Sequence, residues 1–230
     1  MKLKFLTLLL AAGALTGACS DDGDNTSPEG EARVRVVHAS PDAPEVDVLL
    51  DNAKVLSNVP YLAASEYLDA PAGNASLKVN AAGTATSVID ADVDLMDGTD
   101  YTVIAAGLVQ AIEPIVLQDD NSTPAAGNAR VRAIHGAPSA PAVDIYVTAP
   151  DADLATATPV LAAVNFGDVA DYIEVPAGDY QVRVTPAGTK TVVIDSGTLT
   201  LSSGQVRTAI AVDAPGGGAP FDLLVLNDLN

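Results

Sequence analysis

ARVRVVHASPDAPEVD, residues 32–47, returns as ARVRAIHGAPSAPAVD at residues 129–144, with ten of sixteen positions identical. The only two histidines of the chain, His38 and His135, hold the same place in each copy. A repeat of this kind reads as two copies of one module. The likeness runs on past the opening stretch. Val55-Leu56 matches Val160-Leu161, Pro71-Ala72-Gly73 matches Pro176-Ala177-Gly178, and Val88-Ile89-Asp90 matches Val193-Ile194-Asp195. The copies close on Ile115–Asp119 and Leu224–Asp228. A period near a hundred residues is too long for a solenoid unit and suits a whole domain with its own core.

Short runs rich in Val, Ile, Thr and Tyr alternate with Pro, Gly, Asn and Asp every eight to twelve residues, the pattern of a β-sandwich. In Arg33–His38 the pleat puts Val34, Val36 and His38 on one face and Arg33 and Arg35 on the other. Further strands are expected over 46–50, 66–69, 76–80, 87–89, 101–105 and 114–118. The second copy offers 130–135, 143–147, 171–174, 180–185, 191–194, 207–212 and 222–226. The two Pro-Ala-Gly segments read as hairpin turns with Gly at positive φ. The fold class is therefore all-β, with two tandem immunoglobulin/transthyretin-like antiparallel β-sandwich domains behind a signal peptide and a flexible tether.

Met1-Lys2-Leu3-Lys4 followed by the apolar run Phe5–Leu15 has the length of a secretory signal and is too short to span a bilayer. It ends at Cys19, the single cysteine of the chain, after Thr16-Gly17-Ala18. That ending resembles a bacterial lipobox, although Thr16 stands where a leucine is usual. Lipidation at Cys19 accounts for a thiol that would otherwise be exposed and spare; the competing reading is a soluble secreted protein cut at the same bond. With one cysteine no intramolecular disulfide can form. Acidic residues 20–31 cannot bury anything and read as a disordered tether. The expected organisation is a signal peptide over 1–18, an acidic tether over 19–31, a first sandwich over 32–120, a linker over 121–128 and a second sandwich over 129–230. The expected place is the cell envelope, lipid-anchored in the outer membrane, on its periplasmic face or at the cell surface.

The formal net charge is −19, from 30 acidic against 11 basic side chains. Such a surface repels nucleic acid and anionic headgroups, which argues against both as partners. The membrane partner is then reached through acyl chains alone.

The string R-V-x-x-H-x-x-P-x-A-P-x-V-D, followed by V-L, P-A-G, A-G-T and V-I-D, resembles the bacterial and archaeal domain of unknown function 4397. The resemblance spans nearly all of residues 32–230. It implies an extracytoplasmic β-sandwich module, often in tandem and often on lipoproteins, and brings neither catalytic residues nor a ligand.

His38 and His135 each precede a loop carrying Pro41 and Pro44, or Pro138 and Pro141. One reading pairs them with Asp47 and Asp144 as a base or metal ligand, but one His and one carboxylate fall short of the four donors zinc takes. The favoured reading is structural, with each imidazole bonded to loop carbonyls. Asp90, Asp92, Asp94 and Asp97 have the two-residue spacing of a calcium loop. Val93 and Leu95 alternate with these acids, as on a half-exposed strand, and the second copy keeps only the first acid. Arg33, Arg35, Arg130 and Arg132 are expected to pair with carboxylates on neighbouring strands, each pair worth little. Tyr67 and Tyr172 read as core residues, or as hydroxyls tied to backbone. With no Trp and six Tyr the chain lacks the aromatic platforms usual for sugars.

Two functions remain. The first is a non-enzymatic envelope lipoprotein that displays two sandwiches for binding, adhesion or surface structure, with a cell-surface protein or glycan as partner and no cofactor. The second is an enzyme or enzyme accessory with a metal-assisted hydrolytic site near His38/Asp47 and His135/Asp144. Sandwiches packed on each other around a charged cleft would count against the first.

Overall fold

The computed structural model describes residues 30–229. The expected signal segment 1–18 and Cys19 lie outside the described residues. The first half holds β1 (Glu31–Ala39), β2 (Val46–Leu50), β3 (Ala53–Val59), β4 (Leu68–Pro71), β5 (Gly73–Ala81), β6 (Ser87–Leu95), β7 (Asp100–Ala106) and β8 (Glu113–Asp119). The second half repeats them as β9 (Asn128–His135), β10 (Val143–Thr148), β11 (Leu161–Val164), β12 (Ile173–Pro176), β13 (Gly178–Pro186), β14 (Ile194–Leu201), β15 (Val206–Val212) and β16 (Asp222–Leu229). Glu31, assigned from sequence to the tether, opens β1.

Each half is a sandwich of two four-stranded sheets. In the first, β4-β1-β7-β8 faces β3-β2-β5-β6; in the second, β12-β9-β15-β16 faces β11-β10-β13-β14. Pairing is antiparallel throughout except for β1 with β7 and β9 with β15, which run parallel. Alternation sets what goes inside. Along β5, Ala75, Leu77 and Val79 point to the core, while Asn74, Ser76 and Lys78 point away.

The structure corrects several expectations. The strand β3 and its counterpart β11 do not stand out in the sequence, because AKVLSNV is largely exposed and lacks a clean alternation. The hairpin that introduces β3 turns on Asp51 and Asn52, at φ 49° and 64°, the left-handed pair that matches the twist of flanking strands. Pro71-Ala72-Gly73 is no hairpin, since β4 pairs with β1 and β5 with β2 and β6. It is a corner that carries the chain from one sheet to the other, and Pro176-Ala177-Gly178 does the same. Gly73 takes φ 121° there, whereas Gly178 is not among the positive-φ glycines. The strand expected at 191–194 begins at Ile194 instead, where Leu199 and Leu201 alternate with threonines.

The decisive feature is the second face of the inner sheets. Val34 and Val36 enter the core of the first sandwich together with Val48, Leu77, Tyr101 and Val103. Val37 and Ala39, on the opposite face of β1, join Ile104 and Ala106 in a buried cluster with Ile134, Ile210, Val212 and Leu226 of the second half. The two inner sheets therefore cover each other, and four sheets are stacked. This is why Tyr101–Ala106 is buried without interruption, as expected of a strand covered on both faces.

Candidate functional site

His38 is fully buried. Its Nδ1 accepts from the Ser40 amide at 3.3 Å, which leaves the proton on Nε2. That nitrogen lies 3.0 Å from the carbonyl of Pro44 and donates to it. His135 repeats the arrangement, with the Ala137 amide at 3.3 Å and the Pro141 carbonyl at 3.1 Å. Burial holds His38 below the ordinary imidazole value, opposed by the Pro44 carbonyl. Both ring nitrogens of each histidine are thus spent on the loop that follows it. Pro41 and Pro138 lie within those loops; the Pro41 carbonyl also accepts from the Gly216 amide of the second half at 2.7 Å.

The carboxylates named with the histidines face other partners. Asp47 accepts from Lys54 Nζ at 2.7 Å and from the amides of Asn58 and Gly83 at 3.0 and 3.1 Å. These donors, Lys54 foremost, hold its carboxyl down to about 2. Asp144 accepts from the amides of Ala163 and Gly188 at 2.9 and 2.8 Å. Each aspartate ties its outer-sheet hairpin to the turn beyond β5 or β13. Asp90, Asp92 and Asp94 lie on the exposed side of β6, where Asn74 donates to Asp94 at 3.3 Å. Asp97 accepts from the Glu31 amide at 3.0 Å. Among the described residues no group of three or more His, Cys, Asp or Glu side chains could hold a metal ion.

The arginines depart furthest from expectation. Arg33 does pair with Asp100 on the neighbouring strand, at 2.5 Å and partly in solvent. Arg130 is held by Asp120 and Glu174. Arg35 and Arg132 instead cross between the halves. Arg35 donates through Nη2 to Asp228 at 2.6 Å and through Nη1 to the Asn227 carbonyl at 2.9 Å. Arg132 donates through Nη2 to Asp119 and through Nη1 to the Gln118 carbonyl at 3.1 Å. The exchange is reciprocal, because Gln118-Asp119 and Asn227-Asp228 are equivalent in the repeat. Asp119 and Asp228 have no exposed side-chain surface.

Thr102 and Thr208 link each guanidinium to the nearby carboxylate on the same sheet side. Tyr67 and Tyr172 complete the set. Their rings lie under Arg35 and Arg132 at 4.8 and 4.5 Å, and their hydroxyls donate to Asp119 at 2.6 Å and Asp228 at 2.8 Å. Neither is a core residue, and neither is tied to backbone, contrary to the expectation from sequence. Burial pushes both phenols well above their ordinary value, with the nearby aspartates acting in the same direction. A strand pattern shows that Arg35 leaves its own core; it cannot show that a second sheet is waiting on the other side.

The two sandwiches do pack on each other with charges at the contact, but those charges are buried and paired rather than arrayed around a cleft. An open polar hollow of about 540 Å3 lies beside the interdomain coil, lined by Arg33, Asp69, Asp100 and Asp120 among others. Its Asp100 is already taken by Arg33 and Asn121.

A second hollow, of about 500 Å3, opens inside the second sandwich between its two sheets. Val131 and Ala209 form its floor on the inner sheet, Ile145, Val182 and Leu199 its roof, and Ile173 its rim. The volume falls within the range of small-molecule sites, and apolar walls with few polar groups are their usual makeup. No signal in either repeat marked it, because its cause is a difference between the copies.

The family described as a domain of unknown function (DUF4397) matches residues 32–146 and 147–230. The junction between the two matched segments falls inside β10. No curated protein matches the chain. Solved structures similar to the chain include an alpha-glucan-binding streptococcal virulence factor, 13% identical over 79% of this chain and 92% of its own, with a TM-score of 0.26. A family 26 carbohydrate-binding module from Eubacterium rectale Amy13K, solved with maltoheptaose, is 10% identical over 87% and 98%, also at 0.26. A leucine-rich repeat protein from Bacteroides thetaiotaomicron is 13% identical over 84% and 27%, at 0.19. At these scores none bears on what this chain binds.

Proposed function

The chain belongs to the DUF4397 family, defined without an assigned activity, and from that premise we propose a non-enzymatic envelope lipoprotein that displays a rigid pair of sandwiches for binding. Cys19 carries the acyl anchor, residues 20–30 form the tether, and the outer membrane holds the protein. The acidic chain, at a formal −19 over its full length, stays off anionic headgroups and off nucleic acid.

The observation that carries this reading is the use of the two histidines. A general base needs a lone pair free to take a proton, and a metal ligand needs one free to bind. In both copies Nδ1 accepts from a backbone amide and Nε2 faces a carbonyl, while Asp47 and Asp144 are engaged with other donors. The hydrolytic alternative therefore finds its proposed groups already occupied by the fold.

Thermal unfolding of His38→Ala and His135→Ala tests the point. The reading expects each to lower Tm clearly, because a buried amide and a buried carbonyl lose their partner at about 1–3 kcal/mol apiece. An unchanged Tm together with loss of a hydrolytic activity would favour the enzyme.

A further inference from the structure

The two sandwiches are copies, yet only one is closed. In the first, Val36, Tyr101 and Val103 meet at the centre of the core, each 2% exposed or less. The parallel registers identify their counterparts: Val34 faces Tyr101 and Val36 faces Val103, while Val131 faces Arg207 and Ala133 faces Ala209. The second copy thus has Ala133, Arg207 and Ala209 where the first has Val36, Tyr101 and Val103. Two valines have lost their methyl groups, and a ring that filled the middle has become a guanidinium on a flexible stem. Ala133, Arg207 and Ala209 are all half-exposed, and the space they vacate is the hollow of about 500 Å3.

The surroundings fit an occupant rather than a packing fault. Close-packed cores do not tolerate voids of this size without cost. Of the ten large apolar side chains that stand exposed among the described residues, four, Val160, Val169, Ile173 and Val225, line this one hollow. Exposed apolar surface gathered at one mouth marks a binding site more often than scattered exposure does. The Tyr180 hydroxyl is fixed by donating to the Pro176 carbonyl at 2.7 Å, which leaves its ring as wall.

The charge of the hollow is also unusual. Arg132 shares only its backbone side, since its guanidinium points across β9 into the network with Asp119. Arg207 is different. Five of the six arginines have acid, hydroxyl or carbonyl acceptors, yet among the described residues nothing accepts from the Arg207 side chain. Among the described residues, in a chain with 30 acids, this is the arginine left without an acceptor. Asp171, the acidic side chain of the wall, stands exposed at the edge. A guanidinium fork recognises a carboxylate through two parallel hydrogen bonds.

We propose that the hollow of the second sandwich binds a single-chain carboxylate amphiphile, a long-chain fatty acid, with the acyl chain between the sheets and the carboxylate on Arg207. The inference rests on the binding role proposed above and supplies its ligand class.

The test is titration of residues 20–230, which contain every described strand, with the fluorescent fatty acid trans-parinaric acid. The expected result is one saturable site. Ala133→Val, Arg207→Tyr and Ala209→Val together restore the side chains of the first copy, and should abolish binding while leaving Tm equal or higher. Arg207→Gln keeps the space and removes the charge; it should weaken palmitate competition about tenfold and leave hexadecanol competition unchanged. Absence of saturable binding to the folded protein would overturn the proposal, as would binding that survives the triple variant. Equal effects on palmitate and hexadecanol would overturn the carboxylate assignment. None of these outcomes touches the histidine melting test, so failure of the ligand and failure of the non-enzymatic reading are told apart.

Discussion

Arg35 and Asp228 are 193 positions apart in the chain and meet Nη2 to Oδ1 at 2.6 Å, with 4% and none of their side-chain surface exposed. Burial is the largest single influence and would lower the arginine, but the Asp228 bond and charge together with Tyr67 and Asp119 outweigh it, and the guanidinium is held above its ordinary value. Removing one partner of such a pair strands the other in the interior, which costs about 3–5 kcal/mol. Asp228→Ala and Arg35→Ala should each lower stability by that order in urea unfolding, and the double variant should lose much less than the sum. Additive losses would mean the pair is not coupled.

Acid should weaken the fold in two steps. His38 is held below its ordinary value, so its neutral ring contributes stability above about pH 6.5 that is lost as pH falls through the folded value. Protonation would put a hydrogen on Nδ1, against the Ser40 amide. Asp47, held down to about 2, contributes in full above the ordinary carboxylate value and loses that contribution as pH falls from about 4 toward 2. Urea midpoints measured from pH 7 to 2 should show both slopes. Asp100, Asp120, Glu174 and Asp195 are also held below their ordinary values, so Asp47→Asn should reduce the lower slope in part and leave the upper one in place.

Metal ions should leave the protein unmoved. A ligand that binds only the folded state raises stability by about 2.7 kcal/mol at a hundredfold excess over its Kd. Melting in EDTA, then with calcium or zinc, is expected to give a single Tm. A clear rise with calcium would return attention to Asp90, Asp92, Asp94 and Asp97.

On the proposed anchoring at Cys19, Cys19→Ser is expected to abolish incorporation of a labelled palmitate analogue and to move the protein from the membrane fraction to the soluble one. A labelled or membrane-bound Cys19→Ser protein would remove the anchor from the proposal.

Much of the fold was readable because strand alternation and repetition are local signals. The pleat alone places Val34 and Val36 inward and Arg35 outward, and the repeat identifies the two halves and their family. What escaped was set by tertiary context. Outward from one sheet is inward between two, so the sequence points Arg35 and Arg132 to neighbouring-strand pairs and Tyr67 and Tyr172 to core or backbone, whereas they meet in one network between the halves. The edge strands β3 and β11 carry little apolar pattern because one side of an edge faces water. The hollow was hidden for another reason. Ala133, Arg207 and Ala209 look unremarkable one at a time, and acquire meaning only when parallel pairing sets them against Val36, Tyr101 and Val103.

The reciprocal exchange between Arg35 with Asp228 and Arg132 with Asp119 has the form of an isologous contact, in which one patch meets another copy of itself. A chain holding a single module with the same Arg, Thr, Tyr and Asp would present a self-complementary face and close as a two-fold dimer rather than grow into a filament. Joining two modules in one chain makes that dimer permanent and releases its halves from identity. One half can then keep a filled interior while the other gives up part of its own.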